Sequence, residues 1–193
     1  MLPKLFILSL LMLSPIATAS AADCPAVLDH RVRALASSGA GESLCRQAAG
    51  RVVLVVNTAS RCGYTPQLAG LEALYQRYRE RGLLVMGFPS DDFNQELDNE
   101  ADIARFCEIN YGVEFPMFEK LHVRGEQAHP LFRMLATATA SEPRWNFHKY
   151  LISRDGEQIY SFPTRVAPED SQLLEAIEAL LRVGSDGTTQ ALQ

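Results

Sequence analysis

The chain has 193 residues, a formal net charge of −5 and 47% hydrophobic residues. That length suits one domain with a full core. The acidic balance argues against a nucleic-acid footprint, and the composition is that of an ordinary globular protein.

The opening stretch differs from the rest. Lys4 precedes an apolar run, Leu5–Leu13, and the small residues Ala17-Thr18-Ala19 and Ala19-Ser20-Ala21 follow. A charged start, an apolar centre and an A-x-A site are the layout of a secretory signal peptide. The apolar run is short for a bilayer span, and Pro15 follows it. Residues 1–21 are therefore expected to be removed, leaving no stable membrane insertion, and the mature protein is expected to be periplasmic or secreted. Asp23 directly before Cys24 does not suit lipid attachment to that cysteine.

Residues 22–50 read as a small, irregular N-terminal segment with a loop at Ser37-Ser38-Gly39-Ala40-Gly41. A main domain is expected over 51–183 and a polar, flexible tail over 184–193. Val52–Val56 is a continuous apolar run, the mark of a strand buried on both faces. Leu71, Leu74, Tyr75 and Tyr78 recur at helical spacing, with Gly82 closing that region. Leu83–Phe88 reads as a second buried strand stopped by Pro89. Asn99 can cap a helix whose Ile103, Phe106, Cys107 and Tyr111 share a face, leaving Cys107 partly buried. An extended piece is expected around Phe118–Val123, then a helix from His129-Pro130 to about Ala136. Phe147–Ser153 and Gln158–Phe162 flank Asp155-Gly156, a hairpin signature. A last helix runs from about Glu169 to Val183. Alternating strand and helix followed by a hairpin and helix predicts an α/β thioredoxin-like fold, a central mixed β-sheet flanked by helices.

Cys62 lies in the loop Asn57–Gln67, where a buried strand hands over to a helix. Free backbone N–H groups and a helix N-terminus favour an anion at such a turn, which suits a reactive thiolate. An inert buried thiol is the alternative. Export implies an oxidising compartment, in which cysteines tend to pair. The four cysteines, Cys24, Cys45, Cys62 and Cys107, allow three pairings, and the sequence does not choose among them. Cys24–Cys45 is the preferred staple of the N-terminal segment, because it leaves Cys62 and Cys107 for chemistry. Closing a loop of about 20 residues stabilises by roughly 3 kcal/mol. His30, His122, His129 and His148 show no metal-ligand spacing, so no metal is expected.

Several segments in order, VVLVVNTASRCGYTP (52–66), Gly87-Phe88-Pro89, Phe93-Asn94-Gln95-Glu96, Tyr111–Pro116, Gly125–Phe132 and Trp145-Asn146-Phe147, closely resemble the glutathione peroxidase family. The resemblance covers about residues 50–183. It implies a cysteine-type, bacterial member in which Cys62 is the peroxidatic residue and Gln95, Trp145 and Asn146 complete the catalytic group. Neutral N–H donors of this kind hold a thiolate without trapping it in a salt bridge. Gln95 would otherwise read as a loop residue, and the run Phe88-Pro89-Ser90-Asp91-Asp92-Phe93 before it departs from the family's usual pattern. The resemblance also makes Cys107 a resolving cysteine. It implies reduction of hydrogen peroxide and organic hydroperoxides with no cofactor, and reduction of the enzyme by a thiol donor, a thioredoxin-like protein or glutathione. The short stretch between Phe132 and Trp145 resembles the monomeric members. A disulfide oxidoreductase would need a C-x-x-C pair, which Cys62-Gly63-Tyr64-Thr65 lacks. A periplasmic redox sensor or relay, passing oxidation to a partner protein, would use the same chemistry at Cys62.

Overall fold

A computed structural model describes residues 24–183; the expected signal peptide (1–21) and tail (184–193) lie outside the described residues. The chain opens with a tight helical turn, Ala26–Leu28, then β1 (Arg31–Val32), β2 (Glu42–Ser43) and α1 (Leu44–Ala48). The main elements follow as β3 (Val52–Thr58), α2 (Gln67–Tyr78), β4 (Leu83–Pro89), α3 (Glu100–Tyr111), α4 (Pro130–Thr139), β5 (Lys149–Ile152), β6 (Ile159–Phe162) and α5 (Ser171–Arg182).

Four strands form one sheet in the order β4-β3-β5-β6. β3 and β4 are parallel, joined by α2 as the crossover, and β5 and β6 pair antiparallel on the other side. This is the mixed α/β sheet expected from the sequence. Side chains alternate across a strand, so β3 feeds two cores. Val52, Leu54 and Val56 pack with α2, α3 and α5, among them Leu71, Ile103 and Ile177. Val53 and Val55 pack on the opposite face with Leu44 of α1 and Leu131, Phe132 and Leu135 of α4. Burial on both faces is why β3 is apolar without alternation.

The helix ends follow local chemistry. Asn99 Oδ1 accepts from the Ala101 N–H at 2.7 Å and starts α3, and Gly112, with φ 61°, closes it in the left-handed region. The His129 ring accepts from the Leu131 N–H at the head of α4. The last helix starts two residues later than expected, because Asp170 takes the cap, its carboxylate accepting from the Gln172 N–H at 2.9 Å.

The piece expected to be extended around Phe118–Val123 carries no regular strand pairing. Met117 and Phe118 make single bridges to Gly87 and Ala34, after which the backbone turns to scattered acceptors: Glu119 N–H to Arg33 O, Lys120 N–H to Glu100, Leu121 N–H to Pro89 O. No single neighbour supplies a ladder. The N-terminal segment is less irregular than its sequence reads, since β1 and β2 pair and Val27, Leu28, Val32 and Leu44 join the second core. Among the described residues, no helix is long and apolar enough to cross a membrane.

Candidate active site

Cys62 sits in the loop between β3 and α2, and that loop is shaped by its own polar residues. The Thr65 hydroxyl accepts from the Cys62 N–H at 3.0 Å and donates to the Ala59 carbonyl at 2.8 Å. The Thr65 N–H donates to the Cys62 carbonyl at 3.0 Å. These bonds turn the chain so that the Tyr64 N–H reaches Cys62 Sγ at 3.4 Å, a donor that favours a sulfur anion. Cys62 is 7% exposed.

A second segment is tied to this loop. The Arg61 N–H donates to the Gln95 carbonyl at 2.8 Å. Glu96 Oε1 accepts from both the Ser60 N–H (3.0 Å) and the Leu97 N–H (2.8 Å). Burial holds the Glu96 carboxyl above its ordinary range, against the pull of those bonds. Asn94, just before Gln95, has φ 55°, an uncommon conformation for a residue other than glycine.

The third segment carries Trp145 and Asn146. Asn146 is fully buried, and its Nδ2 donates to Gln95 Oε1 at 3.0 Å. Its Oδ1 is buried with no hydrogen-bond partner. Trp145 is 40% exposed, with its ring 5.3 Å from that of Phe93. Arg124 lies over the other ring of this pair, its guanidinium carbon 5.3 Å from the Phe93 centroid. The three segments thus meet through backbone and side-chain contacts, with Gln95 bonded to both of its neighbours. Among the described residues, none of the Gln95, Trp145 and Asn146 side chains hydrogen-bonds Cys62 Sγ; the Tyr64 N–H does.

Cys107 lies on the inner face of α3 and shares the first core with Cys62. It is buried rather than partly buried, at 4% exposure, because Ile103 and Cys107 are the two residues of α3 turned fully into the core. Burial, with the Glu96 charge adding to it, pushes its thiol up to about 12. Cys62 and Cys107 are both free, while Cys24 and Cys45 are joined in a disulfide.

Sequence reasoning assigned no role to Asn57, Thr65, Glu96, Phe93 or Arg124. Asn57 is fully buried near the end of β3; its Nδ2 donates to the Trp145 carbonyl and its Oδ1 accepts from the His148 N–H at 2.9 Å. Its one available signal was an amide continuing an otherwise apolar buried strand. Phe93 and Arg124 are far apart in sequence and meet by tertiary folding alone.

Residues 31–136 match the family profile described as Glutathione peroxidase. A glutathione peroxidase of Lactococcus lactis is 47% identical over 137 residues, covering 68% of this chain and 86% of that protein. The glutathione peroxidase-like peroxiredoxin gpx1 of Schizosaccharomyces pombe is 44% identical, with 68% and 85% covered. The hydroperoxy fatty acid reductase gpx1 of Synechocystis is 43% identical, with 68% and 83% covered. Among solved structures, Trgpx in apo form superposes with a TM-score of 0.64 at 32% identity, covering 81% of this chain and 95% of that one. MTB dsbF, at 12% identity and a TM-score of 0.57 over 81% of this chain and 98% of that one, shares the fold alone.

Proposed function

Since the chain belongs to the glutathione peroxidase family and is a thiol-dependent peroxidase of thioredoxin-like fold, we propose that Cys62 is its peroxidatic residue, Gln95, Trp145 and Asn146 its partners, and Cys107 its resolving cysteine. The observation that supports this reading is the meeting of three separate segments at the Cys62 loop, tied by Arg61 N–H to Gln95 O and Asn146 Nδ2 to Gln95 Oε1.

The Cys62 thiolate attacks one peroxide oxygen. An S–O bond forms, the O–O bond breaks, and the departing oxygen leaves as water or alcohol after taking a proton. The Tyr64 N–H steadies the thiolate. The exposed Trp145, backed by Phe93, gives an apolar surface that supports organic hydroperoxides as substrates beside hydrogen peroxide.

Cys107 then attacks the sulfenic acid; a disulfide forms and water leaves. A thiol raised to about 12 inside a helix is a poor nucleophile, so α3 must open before this step. An external dithiol returns two electrons and two protons to close the cycle. A protein dithiol of thioredoxin type suits an internal disulfide, and glutathione is the alternative donor. We further propose a monomer exported to the periplasm or beyond. The apolar start of the chain and the Cys24–Cys45 bond, which persists in an oxidising compartment, support that localisation.

The test is steady-state peroxide reduction with glutathione and with a thioredoxin system, together with peptide mapping of the peroxide-treated protein. A Cys62–Cys107 peptide and a faster rate with the protein dithiol are expected. Oxidised protein without that linkage would remove the resolving role. N-terminal sequencing of the exported protein and light scattering check cleavage and the monomer.

A further inference from the structure

A lysine opens β5, an interior strand, and it is completely buried. An ammonium in such a place is costly unless its donors are matched. Lys149 Nζ donates to two backbone carbonyls, that of Phe147 at 2.7 Å and that of Val166 at 2.8 Å.

Both acceptors belong to segments that grip Asn146. Phe147 directly follows it and has φ 63°, a strained conformation for a bulky side chain. Its N–H is pinned to the Asn57 carbonyl at 2.7 Å and its own carbonyl to Lys149. Val166 lies two residues beyond Thr164, whose hydroxyl donates to the Asn146 carbonyl at 2.8 Å. The Thr164 carbonyl in turn accepts from Gln67 Nε2, at the head of α2 beyond the Cys62 loop, at 2.8 Å. Lys149 therefore closes a set of bonds linking the loop after β6, the Trp145–Phe147 turn and the start of α2.

We propose that Lys149 is a positioning residue for the peroxide step, its buried ammonium holding the strained Phe147 turn and so the placement of Trp145 and Asn146. The inference rests on the assignment of those two residues to the site. Burial lowers Lys149 to about 7, with the Glu169 carboxylate opposing that fall. His148, its neighbour on β5, is held neutral down to about 4 by burial and by the Lys149 charge. The grip is thus charge-assisted below neutral pH and weaker above it.

The test uses the full reduced chain and follows the fluorescence of Trp145, the one tryptophan in the sequence. Lys149→Met should slow oxidation by hydrogen peroxide about ten- to a hundred-fold, shift the Trp145 emission, and leave reduction of the disulfide form by dithiothreitol within about two-fold of wild type. The ratio of wild-type to variant peroxide rates should be greatest below pH 7 and shrink above it. Glu169→Gln, at an exposed position, should move the wild-type fall to lower pH, because it removes the charge that raises Lys149. A ratio independent of pH with unchanged Trp145 emission would overturn the proposal. Should Lys149→Met not fold, a Glu169→Gln profile that superimposes on wild type overturns it instead. If Cys62→Ser retains peroxide turnover, the site assignment itself fails, which is a separate result.

Discussion

The two free cysteines are both buried, yet their surroundings are built in opposite ways. Cys62 lies in a loop with almost no regular structure, whose backbone N–H groups are held by the Thr65 hydroxyl within it and by the Gln95 carbonyl and Glu96 carboxyl outside it. Cys107 lies in a regular helix that turns only Ile103 and Cys107 itself fully inward. By contrast, α5 buries Leu173, Ile177, Leu180 and Leu181. The irregular segment is held by several hydrogen bonds, and the regular helix has fewer fully buried side chains to expose on opening than α5. Reactivity depends on where the backbone N–H groups point, and local opening depends on how much apolar surface must be exposed. Neither property follows from helix or loop status.

The largest expected effect tests the Cys62 half of this contrast. Cys62→Ser should lower peroxide turnover at least about a thousand-fold, since a hydroxyl there is far less nucleophilic than a thiolate. Turnover above one per cent of wild type in a coupled peroxidase assay would contradict the assignment.

The next effect comes from the Cys107 thiol, which ordinarily ionises near 9 and is held at about 12 in the fold. Its folded value lies above the unfolded one, so the unfolded chain loses its proton first. The contribution to stability is whole below pH 9 and is lost as pH rises towards 12, by roughly 2–4 kcal/mol. Urea unfolding of the reduced protein across that range should therefore fall more steeply than that of Cys107→Ala. Parallel slopes would mean that the thiol is not shielded.

A smaller change is expected in turnover. Cys107→Ser should leave the first oxidation of Cys62 within about two-fold, while dithiol-dependent cycling drops about ten-fold or more and a sulfenic acid accumulates for dimedone to trap. Equal cycling in the variant would show that an outside thiol resolves Cys62 directly.

The smallest effect sharpens the role of α3. Asn99→Ala removes the cap on Ala101 and should weaken the helix by about 1 kcal/mol. If opening precedes resolution, disulfide formation should quicken about five-fold. Slower formation in rapid-quench gels would mean that the intact helix is the reactive form.

Much of this was legible in the chain itself. The apolar run of β3, the Asn99 cap, the Gly82 stop and the Asp155-Gly156 hairpin are local facts, decided by propensity and backbone geometry within a few residues. So was the loop that carries Cys62, because strand, turn residues and cysteine are contiguous from Val52 to Gln67. Gln95 and Cys107 carried no such signal: a glutamine in a polar stretch and a cysteine on a helix face acquire meaning only through what they touch.

The sequence by itself determined the main elements from β3 to α5, their order and the family resemblance, since each rests on neighbours in the chain. Tertiary structure alone decided that Phe118–Val123 would scatter its hydrogen bonds rather than pair as a strand, and that Asn57 would tie β3 to the Trp145 turn. It also decided that a lysine would lie dry beneath Phe147. Those outcomes depend on groups as far apart in sequence as Asn57 and His148, whose pairing is set by which buried donors and acceptors remain unmatched once the two cores close.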